Sequence, residues 1–209
     1  MRTGVGAPAG DGNASVRQAD DADQEAVSDV LTEAFTNDPV VCWLFPEVGE
    51  RGRLQSYFYR SMLTHPAHEA YLVGRPDGAS VWLTLAAGQA PYEEHPDAPE
   101  ADLSAVFGES GARLRALGQA LAGRHPDREP HLYLWCMGVA GGQQGSGLGS
   151  AMLRHGLERA DADGLAVYLE ASSPRSRALY LRHGFEDLGE PVRVADGPLL
   201  WPMWRRPRR

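Results

Sequence analysis

The sequence predicts a mixed α/β domain, and three observations carry that prediction. First, His131–Val139 (HLYLWCMGV) and Leu165–Ser172 (LAVYLEAS) are apolar runs of strand length. Second, a glycine-rich loop and an apolar stripe at helical spacing (Leu148, Met152, Leu153, Leu157, Ala160) lie between them. Strand, helix and strand within about 40 residues make a βαβ unit with parallel strands. Third, AYLVGRPDGASVWLTLA sets two apolar runs around RPDG. That is a β-hairpin pattern with its turn at Pro76–Gly78, so antiparallel pairing is expected as well.

The elements follow in order. Residues 1–14 are Gly, Ala and Asp without periodicity, a disordered segment by composition, and residues 15–209 are expected to form one domain. SVRQAD (Ser15–Asp20) reads as a short strand. The next helix has Ala26, Val27, Val30, Leu31, Ala34 and Phe35 on one face and Asp21 or Asp23 as its cap. TNDPV ends it, because Pro39 keeps its predecessor out of helical conformation. Arg51–His65 is a second helix candidate. Gln89–Glu129 is polar and proline-punctuated, with a helical middle near Leu103–Leu121. In the strand at 131–139, Leu132, Leu134 and Cys136 alternate with Tyr133, Trp135 and Met137, so both faces are apolar. Such a strand belongs inside a sheet covered by helices. Pro202 in the last strand suggests an edge.

Composition excludes several function classes. The net charge of −8 argues against nucleic acid as a partner, and the one basic cluster, WRRPRR, reads as a solvated chain end. No apolar run approaches the ~20 residues that span a bilayer, and MRTGVGAPAGDGNAS lacks a signal peptide's apolar core, so a cytoplasmic location is expected. Cys42 and Cys136 lie far apart in apolar surroundings and read as small buried hydrophobes. The seven histidines form no metal-binding pattern, so no metal is expected.

Six glycines between Gly138 and Gly149 need a physical reason, since glycine weakens regular structure. A phosphate loop of the NTPase type requires Gly-Lys-Ser/Thr, and Leu148 and Ser150 follow the glycines instead. A dinucleotide fingerprint matches at Gly145 and Gly147, with Glu170 ending the next strand, but its third place is Ser150. The remaining reading is a different pyrophosphate loop. Gln144-Gly145-Ser146-Gly147-Leu148-Gly149 fits Gln/Arg-x-x-Gly-x-Gly/Ala between a buried strand and a helix. Unblocked main-chain N–H groups and the helix N-terminus hold a diphosphate there.

MGVAGGQQGSGLGSAML resembles the coenzyme A motif of the GNAT superfamily of N-acetyltransferases, and LEASSPRSRALYLRHGFE resembles the motif that follows it. A narrower resemblance, in VRQADDAD, YLEASSPRSRALYLRHGFE and GPLLWPMWRRP, is to antibiotic-modifying enzymes of the puromycin N-acetyltransferase group. The resemblance implies a central mixed sheet of about seven strands, with a parallel βαβ cofactor unit and helices on both faces. It implies acetyl-CoA as co-substrate and the amine of a small molecule, such as an antibiotic or related metabolite, as acceptor. Protein or peptide amines, or an acyl-CoA-binding module without turnover, are the alternatives. The molecule would work as a monomer or homodimer.

The same resemblance assigns roles. Met137, Gly138 and Val139 would pair with the pantetheine arm, with the Val139 N–H as oxyanion donor. Gln144, Gly145, Ser146, Gly147, Leu148 and Gly149 would hold the pyrophosphate, and Ser173 and Arg175 (or Arg177) would contact the cofactor. Tyr180 would be the acid that protonates the departing thiolate, and Glu170 the base, acting through water. Asp38, Glu93, Glu94 and His131 compete with Glu170 or for a substrate cation. Trp43, Phe45, Trp82 and Trp135 are candidates for an aromatic acceptor pocket but read first as core.

Overall fold

A computed structural model describes residues 15–91 and 105–208. In chain order the strands are β1 (Val16–Gln18), β2 (His68–Val73), β3 (Gly78–Leu85), β4 (His131–Val139), β5 (Ala166–Ala171), β6 (Glu186–Asp187), β7 (Val192–Arg193) and β8 (Leu199–Arg205). The helices are α1 (Gln24–Phe35), α2 (Pro39–Leu44), α3 (Val48–Met62), α4 (Ser110–Ala122), α5 (Leu148–Asp163) and α6 (Pro174–Arg182). The sheet order is β1-β2-β3-β4-β5-β8-β6, with β7 pairing β8. Among the described strands only β4 and β5 pair in parallel, as the βαβ pattern predicts. The mixed α/β sheet expected from the sequence is therefore present, flanked by helices on both faces.

Each face has its own core. Ala70 and Leu72 of β2 and Ala79 and Val81 of β3 pack against Val27 and Leu31 of α1 and Tyr59 and Met62 of α3. On the other face Tyr71, Trp82, Leu132 and Leu134 meet Leu153 and Leu157 of α5. Two glycines permit the closest approaches. A Cβ on Gly138 would stand 2.6 Å from that of Ala34, and one on Gly156 would stand 2.4 Å from the Trp82 ring. Gly138 is thus needed for α1 to lie on β4.

Several expectations need correcting. Asp20, not Asp21 or Asp23, is the first cap: its side chain accepts from the Ala22 N–H, and Asp23 reaches back to the Asp20 N–H. TNDPV ends α1 but also starts α2, because Asp38 accepts from Val40 and Val41 and Pro39 occupies the first turn. The alternation in β4 fails at a bulge. Val81 pairs with Cys136 and Trp82 with Leu134, which makes Trp135 the extra residue of the bulge. Cys136 therefore joins Trp135 on the α1 and α3 face, while Met137 turns to the α5 side.

Pro202 is not on an edge, since β8 lies between β5 and β6. Its carbonyl accepts from Leu188, so its nitrogen faces that same side, where β6 has already ended. No β5 bond is lost. Residues 1–14, Glu93, Glu94 and the start of the expected 103–121 helix lie outside the described residues, apart from α4 itself.

Candidate active site

Strands β4 and β5 pair only over His131–Tyr133 with Ala166–Tyr168, and then separate. The bulge at Trp135 lies just beyond the last pair and bends β4 away. Beyond Tyr133 the β5-facing edge of β4 has no neighbouring strand among the described residues. Direction can be read from the neighbours. Ala140 donates to Asp77 on the β3 side, so Val139 faces the opposite way, and its carbonyl accepts from the Gln144 side chain at 3.3 Å. By the two-residue repeat, Met137 points to the same gap. An extended amide chain fits there as an added strand.

The glycine loop closes one end of this gap. Gly145 and Gly147 both adopt φ of +89°, which side chains with a Cβ rarely do, and no atom would contact a Cβ at either position. Glycine is there for backbone shape, and the space above it is open. Gly147 caps α5, and among the described residues no acceptor faces the N–H groups of Gly145, Gly147, Leu148, Gly149 or Ser150. These donors and the positive end of a 16-residue helix suit an anion. The expected pyrophosphate fits this cradle. Arg175 stands at its rim and donates to Gln144 at 3.2 Å. Arg177 is instead paired with Asp187, and the Ser173 hydroxyl is engaged in capping α6.

A cavity of about 170 Å³ opens from the strand gap toward α2, α3 and α4. Glu170, Tyr180, Met137 and Asp38 all line it. Glu170 Oε2 accepts from the Tyr133 hydroxyl at 2.8 Å, and the carboxyl is deeply buried. Burial raises this carboxyl to about 7, outweighing the hydroxyls of Tyr133 and Tyr168, which favour the anion. Tyr180 is buried and turned to the cavity from α6. Burial pushes its pKa up strongly, and the nearby Cys136 and Asp38 add to that, so the phenol keeps its proton. Burial likewise lifts the Cys136 thiol to about 12, leaving it unreactive.

Asp38 is more than the loop residue its sequence suggests. Its Oδ1 caps α2 and its Oδ2 accepts from Ser172 at 2.7 Å, joining α2 to the end of β5. Burial raises its pKa. An acid followed by proline is a helix-start signal, but nothing in the sequence shows that it faces Glu170 from more than a hundred residues away. Tyr133, which holds Glu170, reads only as core. Trp135 does line the cavity, whereas Trp82 is buried against Gly156, Phe45 stacks on Phe107, and Trp43 bonds Asp196. His131 lies away from the cavity, paired ring to ring with His125 at 2.9 Å.

A mixed sheet opened beside a glycine loop, with an acid and a phenol lining one cavity, is the frame of the candidate site. The model of the acetyltransferase (GNAT) family matches residues 81–185, and the chain belongs to that family. It is an acyltransferase of the N-acetyltransferase type, and enzymes of this family use acetyl-CoA as co-substrate.

Among solved structures it is similar to histone acetyltransferase HPA2 and related acetyltransferase from Corynebacterium glutamicum, at 29% identity and a TM-score of 0.69, over 94% of this chain and 97% of that one. Arylalkylamine N-acetyltransferase 2 from Aedes aegypti shares the fold at 15% identity and a TM-score of 0.64, over 93% and 99% of the two chains. The ribosomal-protein-S18-alanine N-acetyltransferase of Escherichia coli does so at 15% and 0.55, over 92% of each. No helix among the described residues is long and apolar enough to cross a membrane.

Proposed function

We propose that the chain transfers the acetyl group of acetyl-CoA to an amine of a small molecule by direct attack on the thioester. The observation that carries this reading is the meeting of the open β4 edge, Glu170 and Tyr180 in one cavity. The pantetheine arm lies along Met137–Val139, and the pyrophosphate lies on the amides from Gln144 to Gly149. The volume of the cavity, about 170 Å³, suits a small acceptor. This accords with the narrower resemblance to antibiotic-modifying enzymes.

Proton bookkeeping gives each residue its part. An alkylammonium has a pKa of about 10.4, so transfer to an ordinary carboxylate costs about 8 kcal/mol. Transfer to Glu170, whose pKa is about 7, costs about 5 kcal/mol. Glu170 takes one ammonium proton, directly or through a water, and later releases it to solvent. The neutral nitrogen then forms the new C–N bond. The Val139 N–H donates to the carbonyl oxygen as charge gathers there, in a site screened from water. As the C–S bond breaks, Tyr180 gives its proton to sulfur. Tyr180 recovers a proton from the second one that the nitrogen must lose to become an amide.

The test is release of free thiol from acetyl-CoA against a panel of amines that includes puromycin, with calorimetry of coenzyme A binding alongside. Amine-dependent thiol release is the expected result. Coenzyme binding with no turnover of any amine would instead make the chain a non-catalytic acyl-CoA-binding module.

A further inference from the structure

The cavity walls restrict what the acceptor can be. Among its described lining residues there is no Lys, Arg or His, and the only carboxyls are Asp38 and Glu170. Both are acids that burial leaves poorly solvated. Their relative position follows from the strand. Asp38 is bonded to Ser172, two residues beyond Glu170 and just past the end of β5, so the two carboxyls belong to the same side of the cavity. Asp38 Oδ2 uses one lone-pair direction on Ser172 and retains capacity for another donor.

Apart from the hydroxyls of Tyr59, Tyr133, Ser172, Ser176 and Tyr180, the remaining described walls are apolar. Val41 and Leu44 of α2, Phe58 of α3, Leu117 of α4, Trp135 of β4 and Leu200 of β8 face the space. A ligand rich in hydroxyls or carrying several cations would bury polar groups against that apolar side without partners, which disfavours it. An apolar cavity of roughly 150 Å³ is large enough for benzene. The present one, about 170 Å³, therefore admits one ring with a short side arm.

We propose that the acceptor is a lipophilic monoamine, with one ammonium held by Asp38 and presented to Glu170, and an aromatic or branched apolar body of about one ring seated among Val41, Leu117, Trp135 and Leu200. The inference rests on the acetyltransferase reading above. Asp38 is the binding residue for the cation, and Glu170 is the proton acceptor. The two carboxylates thus divide affinity from rate.

The test compares 2-phenylethylamine with spermidine and an alanyl tripeptide as acceptors, using thiol release. The expected KM for 2-phenylethylamine is at least tenfold below the others. Asp38→Asn keeps an oxygen to cap α2 and a donor for Ser172, so the fold is retained. It should raise that KM about 10- to 100-fold, the loss of one charge-assisted contact, while leaving the KM for acetyl-CoA unchanged. Leu117→Trp fills the apolar end and should exclude 2-phenylethylamine while sparing ethylamine.

Equal or better use of spermidine or the tripeptide would overturn the proposal, as would an Asp38→Asn variant with unaltered amine KM. If no amine is turned over, calorimetry of 2-phenylethylamine against 2-phenylethanol on the coenzyme-bound protein still decides. Tighter binding of the amine, abolished by Asp38→Asn, upholds the acceptor class even though the catalytic reading fails. Equal binding of the two sinks it.

Discussion

The two halves of the site are built on different physical terms. The coenzyme half is main chain: one strand edge without a strand neighbour among the described residues, two exposed glycines at positive φ, and the first amides of α5, all within a short run of sequence. The acceptor half is side chain: a largely apolar space walled by α2, α3, α4, β4, β5, α6 and β8, with two carboxyls and a few Ser and Tyr hydroxyls as its polar features. A main-chain site binds one constant ligand and tolerates many side chains. A side-chain site changes its ligand with every wall residue. The difference explains how a common cofactor site serves enzymes with unrelated acceptors.

This contrast is sharpest at Glu170, which belongs to the acceptor half yet controls rate. Glu170→Gln should lower kcat/KM by about 10²- to 10⁴-fold, as loss of a general base does, without weakening acetyl-CoA binding. The carboxyl accepts a proton only when ionised, so wild-type kcat/KM should climb tenfold per pH unit below about 7 and level off above it. The variant should lose that limb.

Stability moves the opposite way. The native carboxyl holds its proton more tightly than the unfolded one, whose pKa is near 4.5, so folding is penalised as pH rises from there to about 7. Glu170→Gln should therefore be more stable at pH 8, by about 1–3 kcal/mol in a thermal melt. A variant both slower and more stable marks a group kept for function. A less stable variant with a parallel pH profile would remove Glu170 from the mechanism.

On the coenzyme half, Gly147→Val should raise the KM for acetyl-CoA about 100-fold. A β-branched residue at φ of +89° costs about 1–3 kcal/mol and displaces the amides that grip the phosphates. The amine KM should stay the same. Between the halves, Tyr180→Phe should cut kcat about 10- to 100-fold and leave both KM values alone, because its proposed part is played only as the C–S bond breaks.

How much of this was legible in the sequence follows the same division. The βαβ unit, the hairpin and the glycine loop were readable because each is local: alternation, helical spacing and glycine density all act within about 20 residues. Gly138 was legible as part of the motif, but the 2.6 Å approach of Ala34 that demands it depends on how α1 packs. The bulge at Trp135 left no signal, since every residue from Leu132 to Met137 is apolar whichever face it takes. The tie between Asp38 and Ser172 spans 134 positions, and only the fold brings them together. Tyr133 reads as core from its sequence and is the residue that holds Glu170.

The smallest effect concerns Arg175, where the coenzyme half departs from pure main chain. Its guanidinium is exposed at the loop rim and bonds Gln144, whose amide in turn bonds the Val139 carbonyl. If Arg175 attracts a phosphate, its charge acts through water, so Arg175→Ala should raise the KM for acetyl-CoA only about 3-fold at low salt. The effect should vanish near 1 M salt, where screening acts within about 3 Å. Arg175→Gln, which can still bond Gln144 but has no charge, separates the two contributions. If it restores the wild-type KM, Arg175 serves by holding Gln144 across the gap. If it behaves as alanine does, the side chain works by charge, and the grip on the coenzyme is main-chain geometry with a weak electrostatic rim.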